Sequence, residues 1–161
     1  MSIAVGDAMP AGEFVVMGAD GPEKVSTDAL FTGKKVVLFS VPGAFTPTCN
    51  AKHLPGYIEQ SAALKSKGVD TIACLAVNDV FVMSAWGKAG NVGDKVVLLA
   101  DGNGEYTRAL GLELDATGFG MGKRGQRFSL IAEDGVVTHL NIEPPGQFGV
   151  SSAETALSQL G

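Results

Sequence analysis

The sequence predicts an α/β protein with a mixed central sheet and helices on both faces. Three observations carry this prediction. Short β-branched runs alternate with stretches of helical period. Two of the runs keep apolar residues on both alternating faces, the mark of strands covered on both sides. The chain also nears its end through a tight hairpin rather than another crossover.

Taken in order, Glu13–Met17 (EFVVM) reads as a short strand beside the turn signal Ala19-Asp20-Gly21-Pro22. Lys35–Val41 (KVVLFSV) reads as a strand buried on both faces. From Cys49 to Lys67, residues Leu54, Ile58 and Leu64 mark a helical apolar face ended by Gly68, with a kink expected at Pro55. Thr71–Val77 (TIACLAV) is a second buried strand. Asn78 or Asp79 caps a helix through about Lys88, which places Val82, Ala85 and Trp86 on one face. Val96–Leu99 is a third strand and Gly104–Leu110 a short helix. Arg127–Ala132 and Val136–Asn141 pair across Glu133-Asp134-Gly135, and Ala153–Leu160 closes the chain as a helix. A thioredoxin-like architecture accommodates this order, hairpin included; an open flavodoxin-like sheet leaves the hairpin unexplained.

No repeat, linker or low-complexity tract divides the chain, so residues 1–161 are treated as a single domain. Leu, Ile, Val and Phe fill 44 of 161 positions, above the roughly 20% below which chains stay disordered. The net charge is −5 with no basic block, so neither nucleic acid nor an anionic membrane is an expected partner. The longest uncharged run, Val36 to Ala51, is interrupted by Pro42 and Pro47 and falls short of the ~20 apolar residues a spanning helix needs. The first residues show no basic stretch followed by an apolar one. Two cysteines do not make a disulfide scaffold, and a reducing, cytoplasmic location is expected.

The chemistry concentrates in Val41-Pro42-Gly43-Ala44-Phe45-Thr46-Pro47-Thr48-Cys49. This stretch leaves a buried strand and enters a helix, where open α/β folds place their ligands. A cysteine in the first helical turn meets unpaired backbone N–H groups that stabilise a thiolate. Its neighbours are hydroxyls and prolines, not a hydrophobic face. Taken alone, a free cysteine is more often inert and buried. Thr46 stands where a C-x-x-C motif would carry its first cysteine. A hydroxyl there cannot form a disulfide, but it can hydrogen-bond a small polar substrate at the sulfur, or simply cap the helix before Pro47. The cation such a site requires is sought in Arg127, at the start of a strand in Lys123-Arg124-Gly125-Gln126-Arg127-Phe128-Ser129.

With these residues in place, the P-x-x-x-T-x-x-C pattern of Pro42, Thr46 and Cys49 resembles the peroxiredoxin signature. The longer string VPGAFTPTCNAKHLPGYIE is similar to the type II subgroup that includes peroxiredoxin five. The similarity continues through Ala73–Trp86, Arg127–Leu130 and Glu133–Glu143, nearly the whole chain. The resemblance implies a thiol peroxidase that reduces hydrogen peroxide and alkyl hydroperoxides without a cofactor. Cys49 would be the peroxidatic cysteine. Thr46 and the Cys49 N–H would bind the peroxide oxygens, Arg127 would hold the sulfur anionic, and Pro42 would shield the site. Gly43, Thr48, Phe119 and Met121 are expected to line the substrate approach, with Gly118–Gly122 as a flexible rim.

Cys74 lies mid-strand and is expected to be a buried spectator rather than a resolving thiol. Animal members of the family place a resolving cysteine where this chain reads Gly149-Val150-Ser151-Ser152. The departure resembles bacterial and plant members, in which glutathione, glutaredoxin or thioredoxin resolves the sulfenic acid. Resemblance also implies a homodimer, with Phe45, Trp86 and Phe119 as candidates for its apolar patch. His53 is expected to pack beside the helix or at a subunit contact, and His139 to lie at the surface. Cys49, His53, Cys74 and His139 match no zinc spacing, so no metal is expected. Two other readings stay open. A thioredoxin-fold binding or chaperone-like module would keep Cys49 as a structural thiol. A disulfide oxidoreductase would be expected to carry C-x-x-C, which this chain lacks.

Overall fold

The computed structural model describes residues 2–161. Strand β1 (Glu13–Gly18) turns at Ala19-Asp20 and pairs along its length with β2 (Gly21–Ser26). The Ser26 hydroxyl then accepts the Ala29 N–H and starts a five-residue helix, α1 (Thr27–Phe31). Neither β2 nor α1 follows from sequence pattern. GPEKVS carries a proline and charges because it is an exposed sheet edge, where such residues block further pairing. A helix of barely more than one turn shows no period.

Strands β3 (Lys35–Ser40), β4 (Thr71–Ala76) and β5 (Val97–Ala100) run parallel, with Phe39 opposite Cys74 and Cys74 opposite Leu98. Strand β8 (Phe128–Glu133) lies antiparallel to β3 and forms a hairpin with β9 (Val136–Ile142). Positive φ at Asp134 (48°) and Gly135 (78°) supplies the turn that this dipeptide predicts. The seven-stranded order is β2-β1-β5-β4-β3-β8-β9. Between them, β6 (Glu113–Asp115) and β7 (Lys123–Gly125) make a separate ribbon, too short to be seen in the sequence, around a 3-10 turn at Thr117–Phe119.

Alternation in β3 sends Val37 and Phe39 to one face and Val36 and Leu38 to the other, all fully buried. The first face packs against Met83 and Trp86 of α4 (Val80–Ala89) and Ala156 of α6 (Ala153–Gln159). The second packs against Leu30 and Phe31 of α1, and Tyr106 and Leu110 of α5 (Glu105–Leu110). Asp79 caps α4 by accepting the Val82 N–H at 2.8 Å.

The segment expected as one helix from Cys49 to Lys67 is instead three pieces. A π-helical turn over Cys49–His53 leads into α2 (Leu54–Glu59), and Gln60 separates that from α3 (Ser61–Ser66). Pro55 does not kink a helix; it sits in the first turn of α2. A proline there has no N–H for the Ala51 carbonyl, and the Leu54 N–H bonds the Cys49 carbonyl in the wider pattern. Two further expectations are corrected. Trp86 is fully buried and donates its indole N–H to Asn50 Oδ1 at 3.0 Å, so it belongs to the core and not to an exposed patch. His139 is half-buried beside the Thr138 hydroxyl rather than at the surface.

Candidate active site

The loop after β3 is held at several points. The Val41 N–H donates to the Leu75 carbonyl, and the Ala44 N–H to Asn78 Oδ1 at 2.9 Å. Phe45 adopts a left-handed φ of 65°, uncommon and costly for a bulky residue, which turns the chain sharply before Thr46. The Thr46 hydroxyl donates to the Gly43 carbonyl at 2.7 Å and does not cap the helix. Its hydrogen is committed, so towards a ligand Thr46 presents lone pairs. The chain is helical from Pro47. Among the described residues, the Thr48 and Cys49 N–H groups meet no protein acceptor, as first-turn donors commonly do not.

Cys49 itself is fully buried. Arg127, just ahead of β8, donates from Nη2 to Cys49 Sγ at 3.0 Å and from Nη1 to His53 Nδ1 at 2.7 Å. A guanidinium only donates, so Nδ1 is the acceptor and the His53 proton sits on Nε2, which donates to the Ser151 carbonyl at 3.0 Å. Burial, reinforced by the Arg127 charge, brings the His53 pKa down to about 3. The ring is therefore neutral and has no free lone pair with which to act as a base. It packs among Phe39, Tyr57 and Phe148, not at an exposed subunit contact. The Tyr57 hydroxyl donates to the same Ser151 carbonyl at 2.9 Å.

The structure thus brings Cys49, Thr46 and Arg127 to one end of β3, with Pro42 and Gly43 in the same loop. Arg124, passed over in the sequence, joins them: Nε donates to the Met121 carbonyl at 3.0 Å and Nη1 to the Pro42 carbonyl at 3.3 Å. A Cβ at Gly43 would lie 2.8 Å from Arg124 Nη1, 3.2 Å from Thr46 Cγ2 and 3.5 Å from Met121 Cε, so a side chain there would push the Arg124 tip aside. Met121 therefore reaches the loop. Thr48 is half-buried and forms no side-chain cap. Phe119 is 84% exposed and closes no pocket in this chain alone. A groove of about 890 Å³ between α4 and the β1 and β5 edges contains none of these residues.

His53 stood out in the sequence only as one turn beyond Cys49. Ser151, whose carbonyl receives the His53 Nε2–H, carries no sequence signal, since it lies in a loop that has no period. Cys74 lies in the same core layer as Cys49, and both thiols are free. Burial and the neighbouring Cys49 push the Cys74 thiol well up, so it stays protonated.

A redoxin family profile matches residues 4–157. Peroxiredoxin-2B of Arabidopsis thaliana is 52% identical over 159 residues, covering 98% of both chains. The crystal structure of reduced Prx3 from Vibrio vulnificus in complex with hydrogen peroxide superposes with a TM-score of 0.95 at 52% identity over 99% of both chains. Peroxiredoxin 5 from Alvinella pompejana superposes at 0.87 with 36% identity, covering 98% of this chain and 97% of its own. A buried cysteine under an arginine at the entry to a helix, on a thioredoxin-like sheet shared over nearly the full length with these proteins, places this chain in the peroxiredoxin family, in its peroxiredoxin-five-like branch, as a thiol-dependent peroxidase.

Proposed function

We propose that Cys49 is the peroxidatic residue and that hydrogen peroxide and alkyl hydroperoxides are its substrates. The observation that carries this reading is the Arg127 N–H donated to Cys49 Sγ at 3.0 Å. That contact stabilises a thiolate, and the arginine cannot lose its proton in doing so. The sulfur lone pair attacks the terminal peroxide oxygen in line with the O–O bond. An S–O bond forms, the O–O bond breaks, and the leaving alkoxide or hydroxide takes a proton to give an alcohol or water. The sulfur is oxidised to sulfenic acid and the peroxide reduced.

Charge develops on the leaving oxygen, so donors aimed there lower the barrier more than they stabilise bound peroxide. The free N–H groups at Thr48 and Cys49 and the Arg127 guanidinium supply them. Thr46, with its hydrogen committed to Gly43, accepts the hydrogen of the incoming hydroperoxide. Pro42 limits water at the sulfur, while Gly43, Thr48 and Met121 form the approach.

Reduction of the sulfenic acid falls in this reading to an external thiol, glutathione, with glutaredoxin or thioredoxin as the protein donor. Cys74 is buried and protonated, a poor nucleophile, and residues 149–152 carry no cysteine. Glutathione gives a mixed disulfide and water, and a second thiol then releases Cys49. The reading further takes the protein as a cytoplasmic homodimer.

Stopped-flow mixing with hydrogen peroxide tests the first step. Rapid second-order loss of one thiol, abolished in Cys49→Ser, is expected; a thiol no faster than free cysteine would return Cys49 to a structural role. Mass spectrometry after one equivalent of peroxide should show a glutathione adduct on Cys49, and Cys74→Ser should turn over normally. A Cys49–Cys74 disulfide, with turnover lost in the folded variant, would assign resolution to Cys74.

A further inference from the structure

We propose that Glu143 is a positioning residue that sets the aim of Arg127, acting through the loop that follows β9. The inference rests on the reading of Cys49 and Arg127 just given.

Glu143 is 4% exposed and has no cationic partner among the described residues. One of its oxygens, Oε2, takes four hydrogen bonds: the N–H groups of Gly149, Val150 and Ser151 at 2.8 Å each, and the Ser151 hydroxyl at 2.7 Å. Burial alone would raise this carboxyl. The four donors outweigh it and hold the group below its ordinary value, so the carboxylate is charged and the loop is wrapped around it. Fastening a loop would be role enough for such a nest, but two further contacts give it a direction.

The first is that Ser151, which gives two of the four donors, is the residue whose carbonyl receives the His53 Nε2–H. An imidazole that donates from Nε2 must accept at Nδ1, and Nδ1 is where Arg127 Nη1 arrives at 2.7 Å. The second is that the Glu143 backbone N–H donates to the Arg127 carbonyl at 2.9 Å. Both ends of the arginine are therefore tied to one residue. Its main chain is held directly, and its guanidinium is held through His53, the Ser151 carbonyl and the carboxylate. The circuit closes on itself, and the branch that leaves it from the guanidinium is Nη2, pointing at Cys49 Sγ.

This arrangement answers a question the site raises. Arg127 meets no carboxylate among the described residues, so its charge is undiluted at the sulfur. Its direction, however, must then come from a neutral partner. A neutral histidine accepts at Nδ1 only while its tautomer is fixed, and that tautomer is fixed from residue 151. The carboxylate's charge is kept away from the sulfur, and orientation is passed inward.

The test is a double-mutant cycle on the second-order rate with hydrogen peroxide, using Glu143→Gln, Arg127→Gln and the pair, all shown folded by circular dichroism. Glu143→Gln is expected to slow the reaction on the order of tenfold. The double variant should be no slower, within about twofold, than Arg127→Gln alone, because a residue acting through Arg127 has nothing left to position. Losses that multiply, or a Glu143→Gln protein at the wild-type rate, would overturn the proposal. An Arg127→Gln protein at the wild-type rate would overturn the reading beneath it, and that is seen without touching Glu143. Should Glu143→Gln not fold, nitrogen-15 spectra of wild-type His53 decide: a single Nε2–H tautomer at neutral pH is required, and an Nδ1–H or mixed ring sinks the inference.

Discussion

His53 spends both ring nitrogens on neighbours, and that fixes how the fold responds to acid. Its folded-state pKa is about 3, while an unfolded histidine titrates near 6.5. Below about pH 6.5 the unfolded chain takes up a proton that the folded chain refuses, so unfolding is favoured as pH falls. The loss continues until about pH 3, at up to ~1.4 kcal/mol per unit. Glu143 adds to it at the acid end, since its depressed carboxyl contributes stability that disappears once pH drops through its folded value. Urea melts at pH 7 and pH 5 should show the lower stability at pH 5, and His53→Gln should flatten that difference. Equal stability at the two pH values in the wild type would mean that the folded ring takes up its proton as readily as the unfolded one.

Among the elements, the π turn lies nearest the chemistry, because Cys49, whose sulfur accepts from Arg127, is its first residue. Pro55→Ala supplies the missing N–H and permits an ordinary α-helical ladder from Cys49 onwards. A several-fold slower reaction with peroxide is expected, with a melting temperature within about 2–4 °C of wild type, the shift that ~1 kcal/mol produces in a domain of this length. An unchanged rate would show that the wider turn is incidental. The same element marks the limit of what sequence reveals. Strands β3 and β4 and the β8–β9 hairpin were legible because β-branched runs and Asp134-Gly135 express their burial and turn locally. Thr46 and Cys49 are legible because one nine-residue string carries them, and Arg127 because it opens the β8 run that pairs with the strand leading into that string. A proline in a helical stretch reads equally as a kink or as a first-turn residue, and only the contacts of Cys49 decide. Glu143 and Ser151 escaped notice because their partners come together through a loop whose shape no pattern encodes. The His53 to Ser151 bond spans 98 positions. Trp86 was misjudged for a related reason, since a large aromatic on a helix face is core or surface according to what the rest of the fold lays against it.

At the scale of the molecule, the exposed apolar residues Phe45 (49%) and Phe119 (84%) belong to loops on either side of the Arg124 clamp. If pairing covers this face, Phe45→Glu should yield a monomer by sedimentation while the wild type sediments as a dimer; a dimer in both would move the interface elsewhere. Complete closure of the Cys49 sulfur has a practical corollary for the whole chain. Alkylating agents of graded bulk will not sample one and the same protein. A reagent scarcely larger than peroxide needs only a small local opening, whereas a bulky maleimide waits for the entrance turn to come apart. The ratio of the two labelling rates therefore serves as a clock for an internal motion, readable from ordinary bench kinetics.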